Sequence, residues 1–180
     1  GMTRGWVSEL PLRLSDILYG FPALLLAILF AAALGGSTWT AMMAISLATI
    51  PAFVRIARAA TLQVMSQGYI EAARLSGTPT ATIAARHVLP NIAPVLGVQA
   101  SVSFGIAILA EAGLSYLGLG SGPDQPTWGR MLREAQDYLF SEPLLALWPG
   151  LAIAVATLGF NLLGEGLRDA IGKEDDIRVA

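Results

Sequence analysis

The chain has 180 residues, of which 54% are hydrophobic and 13% charged, with a formal net charge of -2 and a mean hydropathy of +0.62; the charged share is about half that of an ordinary soluble domain. This is a membrane composition, and its 11 scattered Lys and Arg residues give no basic footprint for nucleic acid. With no cysteine and a single histidine, His87, disulfides, thiol nucleophiles and two-histidine metal signatures are excluded, so no catalytic, metal or cofactor site is expected.

The opening residues Gly1-Met2-Thr3-Arg4-Gly5-Trp6 lack the basic lead, apolar run and cleavage site of a signal peptide. No charge occurs from Ile17 to Val54, and 38 residues of helix would extend about 57 Å, well past a hydrocarbon core of about 30 Å. Two spans are therefore predicted, near 17–34 and 40–57, broken at Gly35-Gly36-Ser37-Thr38 with Trp39 at the interface. Further uncharged runs at His87–Ala110 and Pro143–Gly164 predict spans over about 88–110 and 143–164. Small residues inside them, such as Ser101, Gly105, Ala154 and Gly159, allow close helix approach. The predicted fold is an all-α polytopic bundle, one transmembrane domain over 1–180.

Arg4, Arg13, Arg55, Arg58, Arg74, Arg86, Arg168, Lys173 and Arg178 fall on one side of a four-span chain, and Arg130 and Arg133 on the other. That bias makes the first side cytoplasmic, with both ends inside, a cytoplasmic connection over 59–86 and an external one over 113–142.

Within the cytoplasmic connection stands Glu71-Ala72-Ala73-Arg74-Leu75-Ser76-Gly77-Thr78-Pro79, running on to His87-Val88-Leu89-Pro90. Ala72 and Ala73 favour helix, Glu71 and Arg74 are neighbours at i,i+3, and Gly77 suits the left-handed residue that closes a helix. Thr78 and Pro79 read as N-cap and first residue of a second helix, which Pro90 ends or kinks. The prediction is a stiff helix–turn–helix knob.

These residues resemble the EAA signature of ATP-binding-cassette importer permeases: Glu-Ala-Ala, Gly and Leu-Pro recur at its spacing in Glu71, Ala72, Ala73, Gly77, Leu89 and Pro90. His87 replaces the usual isoleucine, as in the Arg-His-Val-Leu-Pro-Asn version of the dipeptide and oligopeptide branch. The runs Glu111–Gly120, Trp128–Leu132 and Phe160–Asp169 are also similar to that branch. The resemblance implies a type I permease of the bacterial or archaeal inner membrane, whose EAA knob docks on a cytoplasmic ATPase subunit. It implies a second permease subunit and a periplasmic or lipid-anchored binding protein as further partners. About six spans are usual there, and this chain starts where the third approaches, so a fragment or truncated product is expected. No phosphate-binding Gly-x-x-x-x-Gly-Lys-Ser/Thr loop is present, so ATP hydrolysis is assigned to partners. Dipeptide, oligopeptide and nickel systems share these signatures, which leaves the solute open.

An ion-coupled transporter or channel would place carboxylates or histidines in mid-membrane, whereas Glu111, Glu165 and His87 flank the predicted spans; a non-transporting scaffold subunit is the third reading. Plainer roles compete for single residues. Glu71 could pair with Arg74, Arg55 and Arg58 could anchor at the interface, and His87 could cap or pack. Arg130, Glu134 and Asp137 read as the solvated face of an external helix. Glu111 reads as a cap for the backbone amides around Gly113–Ser115 ahead of the alternative, contact with the solute.

Overall fold

A computed structural model of the chain describes residues 13, 20, 22–120, 122 and 125–179, and among these every regular element is helical. The described residues form two compact units, 50–101 with the part of the last helix beyond Leu162, and 22–49 with 102–162.

Helix α1, Ala23–Leu34, is apolar throughout. It stops at Gly35, whose φ of 86° and ψ of 148° lie where side chains other than hydrogen clash. Helix α2, Thr38–Met65, starts with a reciprocal cap: the Thr40 amide donates to Ser37 Oγ (3.2 Å) and the Ser37 amide to Thr40 Oγ1 (2.9 Å). The two hydroxyls thus satisfy amides that the first turn leaves orphaned, a capping box with Thr in place of Glu. The break predicted at Gly35–Thr38 is where the chain turns.

Of the four predicted spans, three correspond to helices long and apolar enough to cross a membrane, Thr38–Met65, Thr80–Tyr116 and Leu144–Ala170. The span expected over 17–34 is represented by α1; residues 14–19 and 21 lie outside the described residues. Each long helix overruns its predicted span. Helix α2 carries Arg55 near the end of its predicted span and continues eight residues past Ala57 through Arg58, because a charge that can snorkel does not end a helix. Its Pro51 is fully buried, and tight packing holds a residue that removes one backbone hydrogen bond.

Helices α3, Gly68–Leu75, and α4, Thr80–Ile83, make the predicted hairpin. Of the two expectations for Pro90, that it ends the second limb or that it kinks the passage into the next span, the first is not met. Residues Ala84–Val88 form a π-turn in which the Leu89 amide donates to the Ala84 carbonyl, and α5, Leu89–Tyr116, follows directly. One residue is accommodated just before a proline that lacks an amide hydrogen, so the helix passes through rather than breaking. Helix α6 covers Trp128–Gln136 and α7 Leu144–Val179, with Pro149 buried inside it.

Candidate functional site

The signature Glu71–Gly77 lies on α3 and the turn after it, and one residue sets its orientation. Ile70 is 0% exposed and packs with Ile83, Val88 and Ile92, with Val64, Met65 and Ala73 around them. At 100° per residue, fixing Ile70 inward turns Leu75 about 140° away. Leu75 is 90% exposed, and Glu71, Ala72 and Arg74 are exposed beside it. Among the described residues no ion pair joins Glu71 to Arg74, so the plain reading of Glu71 as half of a helix-surface pair is not what the structure holds. Leu75 was not singled out from the sequence, although its phase relative to Ile70 was the available signal.

The turn is a Schellman closure. The Thr78 amide donates to the Ala73 carbonyl (3.1 Å) and the Gly77 amide to the Arg74 carbonyl (3.0 Å), with Gly77 at φ 76°. The Ser76 hydroxyl adds a bond to the Ala72 carbonyl at 2.9 Å. Here the expected cap is corrected: Thr78 belongs to the closure of α3, Pro79 occupies the N-cap position with ψ 143°, and α4 begins at Thr80 with no side-chain cap. Thr78 stands one residue too early to cap α4, because Pro79 lies between it and the first helical residue, Thr80.

Across the hairpin, the half-buried His87 ring lies 6.0 Å from that of Tyr69 at 51°, and its carbonyl accepts from Asn91 Nδ2 at 2.6 Å. His87 is thus a packing residue against α3. Leu89 and Pro90, the last members of the signature, are exposed, while their neighbours Val88 and Ile92 carry the core contact.

The other unit holds the Glu111–Gly120 and Trp128–Leu132 runs. Helix α5 ends six residues beyond its predicted limit, in a second Schellman turn: Leu119 donates to the Leu114 carbonyl (2.9 Å) and Gly118, at φ 79°, to that of Ser115 (3.1 Å). Glu111 is therefore inside the helix, where backbone amides are engaged. Its Oε1 accepts instead from the Ser115 hydroxyl, one turn on, at 2.6 Å, which corrects the cap expected at Gly113–Ser115. Gly129 of α6 is buried so tightly that a methyl there would collide with the Ala112 carbonyl. Thr127 caps α6 by accepting from the Arg130 amide (3.3 Å). Arg130 donates to the Gly122 carbonyl (2.9 Å) and to Glu134 Oε1 (2.7 Å), so it ties the connection to α6 besides forming the solvated pair. Asp137 stands at the C-cap, exposed.

Residues 1–174 match the family described as the binding-protein-dependent transport system inner membrane component. The chain belongs to this family. It is 42% identical over 171 residues to the glutathione transport system permease protein GsiD of Pectobacterium atrosepticum, an alignment that covers 95% of this chain and 57% of that protein. Proteins of the same name from Escherichia coli O1:K1 and Shigella flexneri serotype 5b are also 42% identical, over 93% of this chain and 55% of theirs. The chain thus spans little more than half the length of these relatives. It is a multi-pass membrane protein of this permease family.

Proposed function

We propose that this chain forms part of the translocation path of an ATP-driven importer for peptides or similarly small polar solutes, and that α3 with its Gly77 turn is the docking point for a cytoplasmic ATPase. The exposed strip of Glu71, Ala72 and Leu75 carries the reading: a stiff, capped helix offers an apolar side chain 90% exposed beside an unpaired carboxylate, which is what an interface anchor with a charged neighbour requires. In this role the knob would transmit ATPase closure to the spans as rigid-body movement. The path is completed by a second permease subunit, and a periplasmic or surface-tethered binding protein delivers the solute from outside. The family's description as binding-protein-dependent supports that partner, and relatives named for glutathione transport support a small peptide as solute. The nine-to-two bias of basic residues supports an inner-membrane orientation with both ends and 59–86 cytoplasmic and 113–142 external.

In the complete permease, Glu71→Ala and Leu75→Asp are expected to lower ATPase co-purification and ATP-driven uptake at least tenfold, on the scale of about 2–5 kcal/mol for a buried interfacial contact. Solute binding by the external binding protein should be unchanged. Wild-type ATPase association in both variants would refute the docking role. Orientation is checked separately in this cysteine-free chain: Ser66→Cys and Asp137→Cys should react with an impermeant thiol reagent from opposite sides of the membrane.

A further inference from the structure

Within the unit formed by 22–49 and 102–162 lies a cavity of about 650 Å³, a size in the range of small-molecule sites. Two helices face it with residues at one-face spacing: Thr38, Met42 and Ile45 from α2, and Phe104, Ile108 and Glu111 from α5. Residues Gln125–Trp128 close the rim, where the Thr38 hydroxyl donates to Gln125 Oε1 at 2.6 Å. Glu111 is the one charged residue in this lining, and no lysine or arginine balances it.

The carboxylate is positioned rather than neutralised. Ser115, itself buried, donates to Oε1 at 2.6 Å, and among the described residues Glu111 has no cationic partner. A carboxylate half-buried against aromatic and aliphatic walls gives up part of its hydration, which a cation seated beside it can replace. A cavity of one sign with low-dielectric walls also concentrates the opposite charge.

We propose that this cavity takes the ammonium group of a small amine-bearing solute, with Glu111 as its counter-charge and Phe104 and Trp128 against the solute's apolar part. The inference rests on the importer reading for its physiological solute, a peptide with a free amino group, but the cation-selective site can be tested without it.

Met42→Cys in the complete importer, reconstituted in vesicles, places a single reporter thiol of this chain in the cavity. A cationic methanethiosulfonate should modify it roughly tenfold faster than an anionic one. Glu111→Gln should bring that ratio close to one, and Glu111→Asp should keep most of it, which separates loss of charge from loss of fold. Millimolar Ala-Phe dipeptide should slow the cationic reagent in the Glu111 protein and not in Glu111→Gln, whereas N-acetyl-Ala-Phe should protect neither. Equal rates for the two reagents, or equal protection by the acetylated peptide, would overturn the site; a partner subunit's own cation seated on Glu111 would give the first of these. ATP-driven uptake is measured in the same vesicles. Charge selection and amine protection without uptake would leave the site standing and remove the importer reading, and uptake without charge selection would remove the site alone.

Discussion

The two units are built on different packing principles. Under the knob, the core is made of long branched side chains, Ile70, Ile83, Val88 and Ile92, and the glycines there, Gly68, Gly77 and Gly97, have nothing within 4 Å of an added methyl. In the unit of 22–49 and 102–162 the core is Ala27, Ala41, Ala44 and Leu114. There Gly36, Gly105, Gly118, Gly120 and Gly129 each abut another part of the backbone or a side chain, although Gly35, Gly113, Gly122, Gly150 and Gly159 do not. The first is held by side-chain volume and the second by backbones brought close together. Small residues at helix contacts are the membrane solution, since lipid is as apolar as leucine and only close approach adds attraction; the branched core is the solution for a short helix that must be held in a fixed pose.

That contrast predicts opposite sensitivities. The largest loss should follow from shrinking the first core: Ile70→Ala is expected to cost about 2–5 kcal/mol of local stability. It would be read as accelerated proteolysis or hydrogen exchange over 66–90 in the complete permease, and protection unchanged from wild type would show that volume is not what holds the knob. Next comes overfilling of the second unit. Gly129→Ala puts a methyl into the Ala112 carbonyl and should cost about 1–3 kcal/mol, seen as a lowered thermal midpoint in detergent. Gly97→Ala, facing open space, should leave the midpoint within error or raise it. If the two alanines behaved alike, the distinction between the units would fail.

Gly77→Val sharpens the comparison, because nothing crowds the site and only the φ of 76° opposes a side chain. About 1–2 kcal/mol is expected, and Gly77→Asn, which tolerates the left-handed region, should recover much of it. A cost for Asn as large as for Val would mean that space, not backbone conformation, selects glycine. The smallest effect is assigned to the exposed pair on α6. Glu134→Gln should change stability by less than about 0.5 kcal/mol, since the Glu134 side chain is 61% exposed and solvent screens the pair. A larger loss would mean that Arg130 depends on Glu134 to hold the Gly122 carbonyl.

Local chemistry by itself determined the helical class, the break at Gly35–Thr38 and the closure at Gly77. Each depends on residues adjacent in the chain: a run of apolar side chains, a pair of glycines, a residue able to take positive φ. The EAA spacing and the family were likewise legible, because they are one-dimensional patterns. Tertiary structure decided the rest. One helix boundary moved because Pro90, which reads locally as a stop or a kink, is carried through by the π-turn before it, while Pro51 and Pro149 sit inside helices as the predicted spans require. Thr78 was drawn into the closure of α3, and Glu111 was turned to Ser115 because α5 ran on past it. The outward pose of Leu75 depended on Ile70 finding Ile83, Val88 and Ile92, residues 13 to 22 positions away. Contacts at that separation are set by where helices meet, and a pattern of neighbours along the chain does not encode it.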